Sequence, residues 1–276
     1  MTALAGFSFG FDPAKPFVKI SASLDNITPD PVRLAKFAEI CGLSAGNQLP
    51  LIYPLTFIYP IVQMMLAHGK APLALFKTLN TRMQIRQHRP IGANETIALH
   101  CEFAERRLVE KGLELDIQSE IRIEDKAVWE NKITFYYRGN YGQPDKSFQP
   151  RQMEAIPDAP ETARWFLKGG VGKPFASLSG DGNPIHYMKW YARFSGFKRD
   201  FAQPLLILTK AVERMMTGYP ANDLCLDVAF KGPVYYNAYV VLRNQSLAES
   251  SRFDIYSEGN DRPCICCDLR TCAVSP

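Results

Sequence analysis

Several features that mark common protein classes are missing from this chain. Its 276 residues include 32 Lys and Arg against 28 Asp and Glu, a net charge of only +4. Without a basic run, so small a charge argues against nucleic-acid binding. The longest apolar run, residues 49–67, is interrupted by three prolines and a glutamine, so it predicts a buried helix rather than a membrane span. Residues 1–17 lack the charged start and apolar block of a signal peptide.

The motifs of metal, phosphate and nucleophile sites are missing as well. No glycine-rich phosphate loop, nucleophile elbow or cofactor fingerprint is present, and the four histidines are scattered. Four of the seven cysteines are clustered, but their spacing fits no standard zinc pattern. We interpret these four as small apolar side chains on a terminal strand of a reduced, cytoplasmic protein: Cys264, Cys266, Cys267 and Cys272. The sequence therefore predicts neither a metal nor a cofactor.

What the sequence does have is an acid/base pair among turn-forming residues. In residues 175–186, FASLSGDGNPIH, Asp181 and His186 lie five positions apart within a segment that carries two glycines, an asparagine and a proline. Such residues mark a bend. A carboxylate and an imidazole held at one bend can position a water and move its protons. Taken alone, however, Gly-Asp-Gly-Asn is typical of ordinary structural turns.

The two halves of the chain also resemble one another. Residues 37–43 align with residues 175–181, and each half then has an apolar, Pro-led helix, at 54–65 and at 204–216. A strand follows each helix and ends at Arg89-Pro90 or Gly232-Pro233. Three more strands follow in each half, at 96–103, 113–123 and 128–137, and at 238–247, 252–257 and 263–271. Because a sheet with one apolar face needs a cover, the pattern predicts a duplicated α+β unit.

The predicted domains are residues 1–145 and residues 163–276, joined by a Pro-containing linker at 146–162. In the internal alignment Leu43 lies opposite Asp181 and Gln48 opposite His186. Only the second half then keeps an acid/base pair, so we expect one active site in the chain.

The ordered string from Phe175 to His186 resembles the signature of the MaoC-like, or R-specific enoyl-CoA hydratase, family. The resemblance implies an α+β tandem, or double, hotdog fold, in which each half is a long central helix wrapped by an antiparallel sheet. In similar proteins the C-terminal copy carries the catalytic motif. The N-terminal copy would then be a degenerate hotdog with a structural and acyl-binding role.

The resemblance also implies a reaction, the interconversion of trans-2-enoyl and (3R)-3-hydroxyacyl thioesters by a hydratase/dehydratase. Asp181 and His186 would hold the water and share its proton transfers, and Asn183 would shape the bend and help orient His186. The substrate would be an acyl-CoA or acyl-carrier-protein thioester, with no nucleic acid or membrane involved, and a homodimer is compatible with this. Four cations after the motif are candidates for binding its phosphates: Lys189, Arg193, Lys198 and Arg199.

The sequence departs from the family where the thioester carbonyl needs hydrogen-bond donors. A His-Gly pair is typical at the start of the central helix, but here Gln203-Pro204 replaces it, and proline has no N–H to donate. Three alternatives stay open. The N–H of Leu205 in the first helical turn takes over, the Gln203 side-chain amide donates, or the oxyanion hole is lost and with it the activity.

The last alternative predicts a non-catalytic hotdog that binds acyl thioesters or serves as a subunit. A thioesterase on the same fold is a further reading. In the first half, the apolar side chains of the interrupted helix have two possible roles, lining an acyl tunnel or packing in the core, and the core is the favoured interpretation. These side chains are Phe57, Ile58, Ile61, Met64 and Met65.

Overall fold

The structure is a computed structural model that describes residues 16–44, 46–71, 78–148, 153–246 and 250–272. Residues 1–15, which include most of the segment inspected for a signal peptide, lie outside the described residues, as do residues 149–152 of the predicted linker. Within the described ranges, none of the helices has the length and apolar character needed to cross a membrane.

The described chain forms ten strands and five α-helices. In chain order they are β1 (Ser21–Ile27), α1 (Pro31–Cys41), α2 (Leu55–Ala67), β2 (Leu79–Gln87), β3 (Ile97–Val109), β4 (Gly112–Ile123), β5 (Lys126–Arg138), β6 (Glu161–Leu167), α3 (Gly172–Ser179), α4 (Lys189–Phe194), α5 (Pro204–Met215), β7 (Leu224–Phe230), β8 (Ala238–Ser246), β9 (Ser250–Ser257) and β10 (Ile265–Thr271). A 3₁₀ turn at Pro184–His186 lies between α3 and α4.

All ten strands form one sheet, in the order β1-β3-β4-β5-β2-β7-β10-β9-β8-β6. The first five strands belong to the first half and the last five to the second, and the antiparallel β2–β7 pair joins them. Within each half the strand order is the same, read outward from that junction. The two central helices, α2 and α5, bury most of their side chains. The predicted duplicated α+β unit is therefore confirmed.

The junction between the halves pairs equivalent positions. Gln84 of β2 lies opposite Asp227 of β7, and these residues are as far apart in sequence as Pro90 and Pro233, which follow the two strands. The side chain of Gln84 donates from Nε2 to Asp227 Oδ1 at 2.8 Å. The repeat axis of the molecule therefore passes through this pair.

The same equivalence corrects one part of the internal alignment. Gln48 bridges to Gly92, and Phe201 bridges to Tyr235, two positions after the matching prolines. Gln48 is thus the counterpart of Phe201, and its predicted match to His186 is wrong. The chain up to this bridge is much longer in the second half (180–201) than in the first (42–48). The first half therefore has no segment equivalent to the 3₁₀ turn and α4.

The predicted helices and strands are confirmed with shifts of a few residues at their ends, except that β3 runs six residues beyond its predicted end at 103. The sequence analysis missed β1, β6, α1, α3 and α4. β6 begins at Glu161, inside the predicted linker. The preceding residues lie against the second half, because the N–H of Ile156 donates to Asp254 Oδ2 at 2.7 Å and both residues are buried. The C-terminal part of the predicted linker is thus part of the folded domain.

A disulfide corrects the interpretation of the cysteine cluster. Cys225 of β7 is bonded to Cys272, just after β10, and these two strands are neighbours in the sheet. The other three clustered cysteines, Cys264, Cys266 and Cys267, are buried and free, as the sequence predicted. The expectation of a fully reduced protein therefore fails at one pair.

We expect thiol titration of the unfolded, unreduced protein to find five free thiols, and seven after reduction. Without reductant, Cys272→Ser should lower the free energy of unfolding by about 2–4 kcal/mol, because it releases a constraint on the unfolded chain. With reductant present, wild type and variant should unfold at nearly the same denaturant concentration. Seven thiols before reduction would contradict the bond.

Candidate active site

The acid/base pair follows a sharp bend at the end of α3. This helix ends at Ser179 and is capped by Gly180, whose φ of 74° is in the left-handed region that favours glycine. A Cβ at this position would lie only 2.4 Å from Cγ of Pro60. Gln63, on the same helix as Pro60, donates from Nε2 to the Gly180 carbonyl at 2.6 Å. The bend is therefore held directly by α2 of the first half.

The residues after the bend bring Asp181 and His186 together. Asn183 caps the 3₁₀ turn, because its Oδ1 accepts the Ile185 N–H at 3.3 Å. Asp181 Oδ1 accepts the Asn183 N–H at 3.3 Å, which leaves Oδ2 free to face the histidine. His186 Nε2 lies 3.4 Å from Asp181 Oδ2, and both side chains are largely buried.

The His186 ring is oriented by a backbone carbonyl. Nδ1 lies 3.0 Å from the carbonyl oxygen of Phe201, and the Phe201 ring contacts the imidazole edge to face at 4.9 Å between centroids. Because a carbonyl oxygen can only accept, Nδ1 carries a proton. In the neutral ring, Nε2 then presents its lone pair towards Asp181. The Phe201 carbonyl therefore orients the His186 ring. Asn183 shapes the bend through its hydrogen bond with the Ile185 N–H.

A buried hydrogen-bond cluster supports His186 from behind. Gln203 is fully buried and donates from Nε2 to the Gly172 carbonyl at 2.8 Å. The Tyr236 hydroxyl lies 3.1 Å from the His186 carbonyl oxygen and 3.4 Å from Gln203 Oε1. Burial raises the pKa of Tyr236, and the charges of Asp200 and Asp181 raise it further, so the hydroxyl remains a donor.

These contacts bear on the predicted oxyanion hole. The Gln203 side-chain NH2 donates to the Gly172 carbonyl, and its oxygen lies near the Tyr236 hydroxyl. Because Gln203 is not among the lining residues of the adjacent cavity, its contact with a substrate stays a prediction. Pro204 begins α5 and lines the cavity beside the pair, whereas Leu205 is buried and is not among the lining residues. The role of the Leu205 N–H stays a prediction.

A cavity of about 580 Å³ lies beside the pair, between the two halves. The first half contributes one face of α2, with lining residues spaced at i, i+3, i+4 and i+7: Tyr59, Val62, Gln63 and Leu66. The residues considered for an acyl tunnel lie elsewhere on this helix. Ile58, Ile61 and Met65 are buried in the core, Phe57 packs against it, and Met64 is exposed. The prediction that these side chains form core is therefore confirmed for Ile58, Ile61 and Met65.

The four cations predicted to bind phosphates lie on and after α4. Lys189, Arg193 and Lys198 are exposed, and Arg199 Nε lies 3.2 Å from Asp200 Oδ1. None of them lines the cavity, which instead has Lys231 in its wall. Their contact with a substrate therefore stays a prediction. Within the described ranges, no group of three or more His, Cys, Asp or Glu side chains is placed to hold a metal ion.

Comparison with known proteins fits this arrangement. Residues 171–260, which include Asp181 and His186, match the family model described as MaoC like domain. The match covers most of the second half. Over 217 residues the chain is 24% identical to 3-hydroxyacyl-thioester dehydratase X of Mycobacterium tuberculosis (strain ATCC 25618 / H37Rv), covering 78% of this chain and 76% of the relative.

Two solved structures from Mycobacterium tuberculosis are similar to nearly the whole chain, beyond the residues that the family model matches. The crystal structure of HtdX gives a TM-score of 0.79 at 21% identity and covers 91% of this chain and 100% of that one. A conserved hypothetical protein with a double hotdog fold gives a TM-score of 0.59 at 14% identity, covering 91% and 96%. The double hotdog fold that the sequence resemblance implied is confirmed.

Three residues around the MaoC-like motif were missed by the sequence analysis, namely Tyr59, Tyr236 and Lys231. The sequence held a signal for Tyr59. It lies four positions before Gln63, so the polar groups of both residues share one face of the helix. Tyr236 and Lys231 lie on either side of the Gly232-Pro233 strand end, where no local pattern distinguishes them.

The glycine at the bend can be tested against a neighbouring glycine. Gly180→Ala should lower the free energy of unfolding by at least about 1–2 kcal/mol, because alanine is strained at this φ and its methyl group would collide with Pro60. Gly182→Ala is the matched control, since a Cβ there meets nothing within 4 Å. It should change the free energy by less than about 0.5 kcal/mol. Equal urea midpoints for the two variants would contradict the close approach of α2.

Proposed function

We propose that the protein is a hydratase/dehydratase that interconverts trans-2-enoyl and (3R)-3-hydroxyacyl thioesters. The observation that carries this proposal is the approach of His186 Nε2 to Asp181 Oδ2, at 3.4 Å, in the wall of a cavity lined by both halves. The MaoC-like domain match and the name of the mycobacterial relative, a 3-hydroxyacyl-thioester dehydratase, support the same reaction class. The (3R) configuration follows from the family resemblance.

The geometry of the pair suits one water molecule. A separation of 3.4 Å exceeds the usual hydrogen-bond range. With Nδ1 protonated, both Nε2 and the Asp181 carboxylate are acceptors, so they can take the two hydrogens of a water. The water oxygen then keeps a lone pair for the substrate. The burial of both side chains limits competition from bulk solvent and strengthens these contacts.

In the proposed hydration the water oxygen bonds to C3 of the enoyl thioester. One O–H bond breaks and its proton passes to the Asp181/His186 pair. The electrons of the C2=C3 double bond move towards the carbonyl, and C2 then takes up one proton from the pair. Dehydration follows the same steps in reverse. The two groups act as a coupled acid/base pair.

The composition of the cavity wall fits an acyl thioester as the substrate. Apolar side chains from both halves, including Val62 and Leu66 on one side and Phe197 and Phe201 on the other, can enclose an acyl chain. Lys231 is exposed and also lines the cavity, so it can meet a phosphate of coenzyme A or of a phosphopantetheine arm.

A second candidate function rests on Pro204. Because this residue brings no N–H to the cavity and the Gln203 amide is engaged elsewhere, a protein that binds acyl thioesters without turning them over is the alternative. Calorimetry would then show binding of enoyl-CoA thioesters, and no product would form at any chain length.

Asp181→Asn and His186→Ala should each reduce hydration of crotonyl-CoA by about 10³-fold, because general acid/base groups contribute about 10²- to 10⁴-fold. The loss of enoyl absorbance gives the rate, and chiral chromatography of the product tests the (3R) configuration. His100→Ala is the control, since this histidine is exposed and lies on β3, outside the cavity. It should retain the wild-type rate.

Circular dichroism and thermal unfolding should show that both pair variants remain folded. Wild-type rates in either folded variant would refute the proposed roles. Release of free CoA from the substrate, without formation of a hydroxyacyl product, would instead indicate a thioesterase.

A further inference from the structure

Tyr59 is a residue of the first half that lines the cavity beside the pair. It lies on α2, is 8% exposed, and lines the cavity together with Asp181 and His186. The first half has no acid/base pair at the position equivalent to Asp181 and His186, yet this residue lies in the wall of the cavity beside the pair of the second half.

The position of Tyr59 relative to the pair is fixed by contacts on the same helix. The next residue, Pro60, packs on Gly180, and Gln63, one turn further on, donates to the Gly180 carbonyl. Asp181 follows this glycine directly. Because the contacts lie within one helical turn of Tyr59, neither Tyr59 nor Asp181 can shift far without the other.

The hydrogen bonding of Tyr59 leaves its proton unused. Asn80 Nδ2 donates to the Tyr59 hydroxyl oxygen at 3.0 Å, so the oxygen already acts as an acceptor. Among the described residues, no hydrogen bond is found in which Tyr59 donates. Burial raises the pKa of Tyr59, and the negative charge of Asp181 raises it further. The hydroxyl therefore stays protonated throughout the usual working pH range.

Three other side-chain donors in the cavity wall are engaged. Gln63 Nε2 donates to the Gly180 carbonyl, His186 Nδ1 to the Phe201 carbonyl, and Thr81 Oγ1 to the Thr134 carbonyl. Pro204 has no N–H to contribute. The Asn183 side-chain amide remains as a competing donor, because only its oxygen has a hydrogen bond among the described residues.

We propose that the Tyr59 hydroxyl donates a hydrogen bond to the carbonyl oxygen of the bound thioester, in place of the backbone N–H that Pro204 removes. This proposal rests on the proposed hydratase/dehydratase function. During addition of water, negative charge develops on that oxygen, and a donor fixed in a largely buried wall stabilises it without reorganising. The first half then supplies a catalytic group to the site of the second.

Tyr59→Phe should reduce kcat for crotonyl-CoA by about 100-fold and leave KM nearly unchanged, because the contact strengthens as charge develops. Tyr53→Phe is the matched control. Tyr53 is buried just before α2 and packs edge to face on Phe37, but it does not line the cavity. This control should retain wild-type kcat, and the urea midpoints should separate any loss of stability from the loss of rate.

A second measurement tests the hydrogen bond between Tyr59 and the thioester carbonyl without requiring turnover. In wild type, the infrared carbonyl band of bound butyryl-CoA labelled with ¹³C at C1 should lie below its position in water. In Tyr59→Phe it should move back to higher wavenumber, and in Tyr53→Phe it should not move. Wild-type kcat and an unmoved band in Tyr59→Phe would overturn the proposal, as would a band that moves only in Asn183→Ala.

The two proposals fail in different ways. If wild type hydrates no enoyl thioester while the band of the bound thioester still responds to Tyr59→Phe, the reaction proposal fails and the hydrogen bond from Tyr59 stands. If wild type is active and Tyr59→Phe changes neither kcat nor the band, only the role of Tyr59 is wrong.

Discussion

The site depends on a contact between the two halves, the close approach of α2 to Gly180. The Pro60 ring occupies the space that a side chain at this bend would need, and Gln63 ties down the carbonyl of the same residue. The direction in which the chain leaves α3, and with it the position of Asp181, is therefore set by the other half. The Tyr236 hydroxyl, which also contacts Gln203, donates to the backbone carbonyl of His186. The bend before Asp181 is thus held by the first half, and the backbone of His186 by the second.

This arrangement gives the two halves of the chain different parts in one site. The first half has no segment equivalent to the 3₁₀ turn and α4, so it cannot build a second site of the same kind. Its α2 instead presents a polar and apolar face to the cavity of the second half. In the proposed reaction the second half supplies the reacting groups, and the first half supplies part of the cavity wall.

Much of the fold was readable from the sequence because its signals are local. Alternating strands, Pro-led helices and the Gly180-to-His186 string each follow from short-range patterns. What the sequence could not provide was the rotation of α2, which decides whether Met65 or Leu66 faces the cavity. The partner of the Gln203 amide, 31 positions away at Gly172, was equally hidden. Both depend on contacts distant in sequence, as does the pairing of Cys225 with Cys272.

The Gln84–Asp227 pair on the repeat axis shows what joining the halves in one chain permits. An assembly of two identical units would place the same residue opposite itself at this point. Two aspartates there would repel each other, and two glutamines would forgo the charge-assisted hydrogen bond that Gln84 now gives to Asp227. A covalently linked pair can mutate the two positions independently. The backbone therefore remains symmetric at the β2–β7 junction, while the side chains of Gln84 and Asp227 are complementary rather than identical.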